Sequence, residues 1–146
     1  EPRSLQFYLG RSIPTSHFNQ TYDPGYSVGL DYAYKLKPGL SAVGRLGYHH
    51  FRAGTPTVSD TYWWNLSGNL SYHAASGTVR PYIGGGGGIY SPQSGTQRWG
   101  VNAALGLDVR LDVRWSLDCG VDYHNIYTSG NDTTFLLPRI GFVGRF

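Results

Sequence analysis

Glutamate occurs once in these 146 residues, at Glu1, lysine only twice, at Lys35 and Lys37, and methionine not at all. Charged residues make up 14% of the chain, against roughly 25% in a typical soluble domain. A soluble all-β domain coats its outer face with lysine and glutamate, and this chain lacks the residues for such a coat. Cys119 is the single cysteine, which excludes an intramolecular disulfide and any cysteine-cluster metal site. No apolar run approaches the roughly 18 residues of a membrane-crossing helix. The net charge of +3 is scattered rather than gathered into a basic stripe, which argues against nucleic acid as a partner.

What the chain has is glycine, 21 residues, together with 12 tyrosines, 4 tryptophans and a persistent two-residue alternation. Its length suits one domain, taken as 1–146. Ser4 to Ile13 sets Leu5, Phe7 and Leu9 against Gln6, Tyr8 and Gly10. Tyr26 to Leu36 is the cleanest run, and Leu40 to His50 and Tyr62 to Ala74 follow the same rule. Pro81 to Tyr90 is a strand interrupted by Gly84 to Gly88, a run that suits close packing or sharp curvature better than a phosphate loop. Val101 to Leu111, Trp115 to His124 and Leu137 to Phe146 complete eight strands.

The connections alternate in length. Pro14 to Gly25, Phe51 to Thr61, Ser91 to Gly100 and Asn125 to Thr134 are long; Lys37 to Gly39, Ala75 to Arg80 and Asp112 to Arg114 are short. A terminal strand must pair with something, and the first strand is the nearest candidate. The expected fold is therefore an all-β, closed, eight-stranded antiparallel up-and-down barrel.

Alternation alone leaves open which face points inward, so a soluble barrel with an apolar interior competes with a transmembrane one. The polar face is built mainly from Gly, Ala, Ser and Asn, small enough for a narrow lumen. Its charges nearly balance: Asp31, Asp108, Asp118 and Asp122 against Lys35, Arg45, Arg110, Arg139 and Arg145, an expected internal ion-pair network. Aromatics gather at the two ends of the apolar face, with Tyr26, Tyr48, Tyr62, Trp64 and Tyr123 towards the long loops and Tyr34, Tyr72, Trp115 and Phe146 towards the short turns. Two such girdles match the two interfaces of a membrane. A transmembrane barrel is the reading adopted, with Cys119 on its lipid face.

With eight strands, Arg80-Pro81-Tyr82-Ile83-Gly84 opening the fifth and Phe146 closing the last, the chain resembles the small outer-membrane barrels of the OmpA/OmpX type over nearly its whole length. The resemblance implies outer-membrane localisation after removal of a leader, contact with outer-membrane lipid or lipopolysaccharide, and recognition by the barrel-assembly machinery through Phe146. Gly144 departs from the pattern, since an aromatic is usual at that place.

Some barrels of this architecture deacylate lipid A with a His, a Ser two residues later and an acid on the next strand. His124 has a comparable place, but Ile126 stands where the Ser would be and no acid follows Asp132. No catalytic residue, cofactor or metal is expected: His49 and His50 alternate across one strand, and His73 belongs near the opposite rim from His124. Function is expected in the loops, where His17, Phe18, Tyr22, Phe51, Trp99 and Tyr127 suit a protein or glycan partner. The expected role is structural or interactive, alone or as an accessory subunit of a larger assembly. A narrow pore or a conduit for small hydrophobic molecules is the alternative, and a lipid A-modifying enzyme a more distant one.

Overall fold

The computed structural model describes residues 3–15, 22–54, 60–74, 77–92, 96–127 and 132–146. Eight strands follow in order: β1 Arg3–Thr15, β2 Tyr22–Lys37, β3 Leu40–Ala53, β4 Thr61–His73, β5 Val79–Pro92, β6 Arg98–Arg110, β7 Trp115–Ile126 and β8 Thr133–Arg145. Each pairs antiparallel with its neighbour in sequence, and β8 pairs back onto β1 to close the barrel. Closure leaves no edge strand exposed, the condition for a sheet to sit in lipid.

Strands of 12 to 16 residues exceed the ~9–11 needed to cross a bilayer. The excess lies mostly on the long-loop side, where the strands run further than the alternation implies. Phe51 and Trp99, read as loop residues, lie in β3 and β6 instead. Phe51 points inward and is fully buried, so it is a packing residue and not a loop contact. His17 and Phe18 lie outside the described residues, as does the side chain of Tyr22, whose backbone begins β2.

The apolar face points outward. Phe7, Leu66, Leu70, Ile83, Leu105, Ile140 and Phe142 are exposed, whereas Asp31, Arg45, Asn65, Asp118, Asp122 and Arg139 are buried in the lumen. Near the long-loop end of the outer face Tyr48 contacts Tyr26, Tyr62 and Trp64. At the short-turn end the Trp115 indole stacks on Phe142, with ring centroids 4.9 Å apart. A Cβ at Gly144 would come within 2.8 Å of that indole. Gly144 is therefore glycine to make room for Trp115, which lays an aromatic over the place where the family pattern has one of its own.

The glycines shape the interior as well. In β5, a Cβ at Gly84 would meet the Leu70 carbonyl oxygen at 2.9 Å, and Cβ atoms at Gly86 and Gly88 would collide with the backbone of β4. The glycine run thus lets β4 and β5 approach within a strongly curved wall. Large lumen side chains lie over glycines of neighbouring strands: Tyr8 over Gly29 and Gly47, Tyr82 over Gly106 and Gly120, Tyr90 over Gly100. At the turn after β2, Gly39 has φ +86°, a backbone conformation only glycine adopts freely.

At the β1–β8 seam the registered pairs run from Ser4↔Arg145 to Gly10↔Arg139, then resume from Ile13↔Leu136 to Thr15↔Thr134. The gap falls at Pro138, which has no amide hydrogen to donate.

Candidate functional site in the barrel lumen

The lumen is filled in layers. Under the long-loop rim, Phe51, Trp63, Tyr90, Ile126 and Phe135 form an apolar cluster. The Phe51 and Phe135 rings meet edge to face at 5.0 Å. Beneath lies a histidine layer in which His49 and His124, from β3 and β7, approach with ring centroids 5.1 Å apart. His124 stacks on Phe135 at 4.7 Å, and its Nδ1 is 2.7 Å from the Tyr90 hydroxyl.

The middle layer is ionic. Arg45 grips Asp31 with two parallel hydrogen bonds, Nε to Oδ1 at 2.7 Å and Nη2 to Oδ2 at 2.8 Å. Its third nitrogen, Nη1, reaches across the lumen to Asp122 at 2.7 Å. Arg139 donates to the same Asp122 oxygen at 3.0 Å, to Asp118 at 2.5 Å and to the Tyr82 hydroxyl at 2.9 Å. Tyr82 in turn donates to Asp118 at 2.6 Å, and the Gln6 amide adds a further bond at 2.6 Å. The Tyr8 ring lies between the two guanidiniums, 5.3 Å from Arg45 and 5.4 Å from Arg139. Paired, bidentate and shielded from water, these charges form a rigid cross-brace rather than a set of loose surface pairs.

The expected network is thus rearranged at its lower members. Asp108 joins Arg80 at 3.2 Å and His73 at 3.7 Å, apart from the central brace. Among the described residues Lys35 and Arg110 have no carboxylate partner. Arg145 bonds Ser116 at 2.6 Å and carbonyls of the β6–β7 turn, not an aspartate. All three lie nearer the short turns than the brace does, so the register carries them past the aspartates they were matched with. Within the brace, Arg45 and Asp122 meet although 77 residues apart in the chain, and Arg139 lies 17 and 21 residues from its two aspartates.

Residues 3–146 match the model of the outer membrane protein beta-barrel domain family. The chain belongs to this family. It is therefore an integral outer-membrane barrel, oriented by the usual rule with its short turns on the periplasmic side. Among solved structures it is similar to Neisserial surface protein A, with a TM-score of 0.80, 16% identity and coverage of 100% of this chain and 98% of the other. The outer membrane enzyme PagL gives 0.71 at 12% identity, covering 98% and 99%. OprG from Pseudomonas aeruginosa gives 0.65 at 16%, covering 99% and 96%. At such identities the likeness speaks for the fold alone. No curated protein matches the chain.

One arrangement has the atom order of an activated serine. Ser27 Oγ is 2.7 Å from His49 Nδ1, and His49 Nε2 is 2.8 Å from Asn65 Oδ1. The three side chains are between 0 and 2% exposed, beneath the aromatic cluster, so no substrate carbonyl reaches the hydroxyl. The hydroxyl nearest His124 is that of Tyr90, while Ile126 belongs to the apolar cluster. Among the described residues no group of three or more His, Cys, Asp or Glu side chains is placed to hold a metal ion.

Sequence reasoning missed Tyr8, Tyr82, Gln6 and Arg80. The available signal was the inward phase of Gln6, Tyr8 and Tyr82, each a large polar residue among small ones. Arg80 lay in what read as a connection and belongs to β5.

Proposed function

We propose that the protein is a closed, non-conducting outer-membrane barrel that acts as a structural and interaction protein through its long-loop end, alone or as an accessory subunit of a larger assembly. The observation that carries this is the double closure of the lumen, by the aromatic cluster above and the Asp31–Arg45–Asp122–Arg139–Asp118 brace below. An ion crossing it would have to break buried, charge-assisted bonds. At the long-loop rim Trp99 is 69% exposed and Tyr127 48%, and the Tyr127 amide donates to the Trp99 carbonyl at 2.9 Å. Two neighbouring aromatics presented there suit contact with a protein or glycan surface. No catalytic role is assigned, since the Ser27–His49–Asn65 row is enclosed. Phe146, 53% exposed and anchored by its amide to the Arg3 carbonyl, is available to the assembly machinery.

Planar-bilayer recording tests the closed reading. The refolded barrel should give no steady single-channel current. Currents that appear with the native protein and vanish on altering Arg45 or Asp122 would assign it to the pore class instead.

A further inference from the structure

Below the brace the lumen holds a cavity of about 150 Å³ whose lining reaches the short-turn rim at Gly39, Arg110 and Arg145. Arg3, Lys35, Arg45, Arg80, Arg110, Arg139 and Arg145 line it against Asp31, Asp108 and Asp118. The internal pairs consume most of the acids. Asp31 is held by Arg45, Asp118 by Arg139 and Asp108 by Arg80. The brace contains three aspartates to two arginines, which leaves one negative charge at the cavity floor. Against it stand Lys35, Arg110 and Arg145, three cations from three different strands around the mouth, while Arg3 has the outward phase of β1 and lays its guanidinium over the Phe146 ring. Arg145 faces the like charges of Arg110 and Arg80 as well as the opposite charge of Asp108, which Arg80 already pairs. It is nevertheless fixed there by Ser116 and by the carbonyls of Asp112 and Trp115. The nearest turn acid, Asp112, directs its carboxylate to the Val113 amide.

Cations crowded at a mouth with low-dielectric walls repel one another and focus a positive potential into it. An anion relieves that repulsion. The volume is below the ~300–1,000 Å³ typical of pockets for organic ligands, and guanidinium groups offer paired donors that fit tetrahedral oxyanions. We propose that this periplasm-facing mouth is a binding site for a phosphate-type oxyanion, supplied either as free phosphate or as a phosphorylated lipid headgroup. Asn69, Ser71 and Asn102 on the wall add neutral polar groups beside the charges.

The test is NMR titration of the refolded barrel in a neutral maltoside detergent. Inorganic phosphate should shift the Lys35, Gly39, Arg110 and Arg145 amides saturably, and the combined variant Lys35→Gln, Arg110→Gln should weaken binding at least tenfold. Both replaced side chains lie outside the brace, and heat-modifiable gel mobility checks that the variant is folded. Arg52→Gln, at the opposite rim, should leave binding unchanged. A second titration uses short-chain phosphatidylglycerol. Saturation by phosphate, by the lipid or by both supports the site and tells which source it accepts. Saturation by neither overturns the proposal, as does binding that survives in the double variant or falls equally with Arg52→Gln.

Discussion

Replacing Arg139 with Met tests whether the brace stabilises the barrel as its geometry implies. Arg139 makes three hydrogen bonds, to Asp122, Asp118 and Tyr82, and its side chain is 2% exposed. At ~1.5–3 kcal/mol for each charge-assisted bond, simple addition overshoots. Asp118 keeps Gln6 and Tyr82, and Asp122 keeps Arg45. The governing term is the carboxylate charge left without its counterion, for which ~3–5 kcal/mol is expected. With a urea m-value of ~2 kcal/mol/M, the unfolding midpoint in lipid vesicles should fall by ~2 M. Tryptophan fluorescence reads the transition from the four tryptophans. Adding Asp118→Asn should recover part of the loss, with a coupling of ~0.5–3 kcal/mol. A midpoint shift below ~0.5 M would refute the argument, because it would mean that water in the lumen already screens the pair as it does at a surface.

Other expectations follow from single contacts. Tyr8 and Tyr82 are both buried lumen tyrosines, but among the described residues the Tyr8 hydroxyl has no hydrogen-bond partner while that of Tyr82 joins Asp118 and Arg139. Tyr8→Phe should therefore be neutral within ~0.5 kcal/mol in equilibrium unfolding, and Tyr82→Phe should cost ~1–3 kcal/mol; equal losses would argue against the pairing. Gly144→Phe should destabilise by ~1–3 kcal/mol through collision with Trp115, and Trp115→Ala should rescue it in the same assay. Leu105→Arg, near the middle of β6 and 60% exposed, should cost ~2–4 kcal/mol in vesicles if that face meets lipid. No loss would mean that the outer face meets water.

The eight strands, their outward phase and the closing of β8 onto β1 were legible in the sequence. A two-residue period reports the backbone's own geometry and needs no knowledge of neighbours. Strand ends were less legible, because polar and aromatic residues above the membrane continue the ladder without continuing the clean alternation. This is why Phe51 and Trp99 read as loop residues and lie in strands. The glycine run of β5 carried no face information, and only the nearby backbone of β4 explains it.

For the lumen, the alternation together with the small residues and nearly balanced charges of the polar face and the two aromatic girdles was enough to place those charges inward. Which charges meet depended on strand register and on the curvature of the closed wall, through which Gln6 reaches Asp118 from 112 residues away. The sequence by itself therefore determined a transmembrane barrel with a polar, side-chain-filled interior. Only the tertiary structure decided that Asp31, Arg45, Asp122, Arg139 and Asp118 form one brace, that Tyr8 and Tyr82 wedge it, and that Lys35, Arg110 and Arg145 are left at the mouth. Alternation is a local property of one strand, whereas a contact across the lumen depends on the stagger of all the strands between its partners.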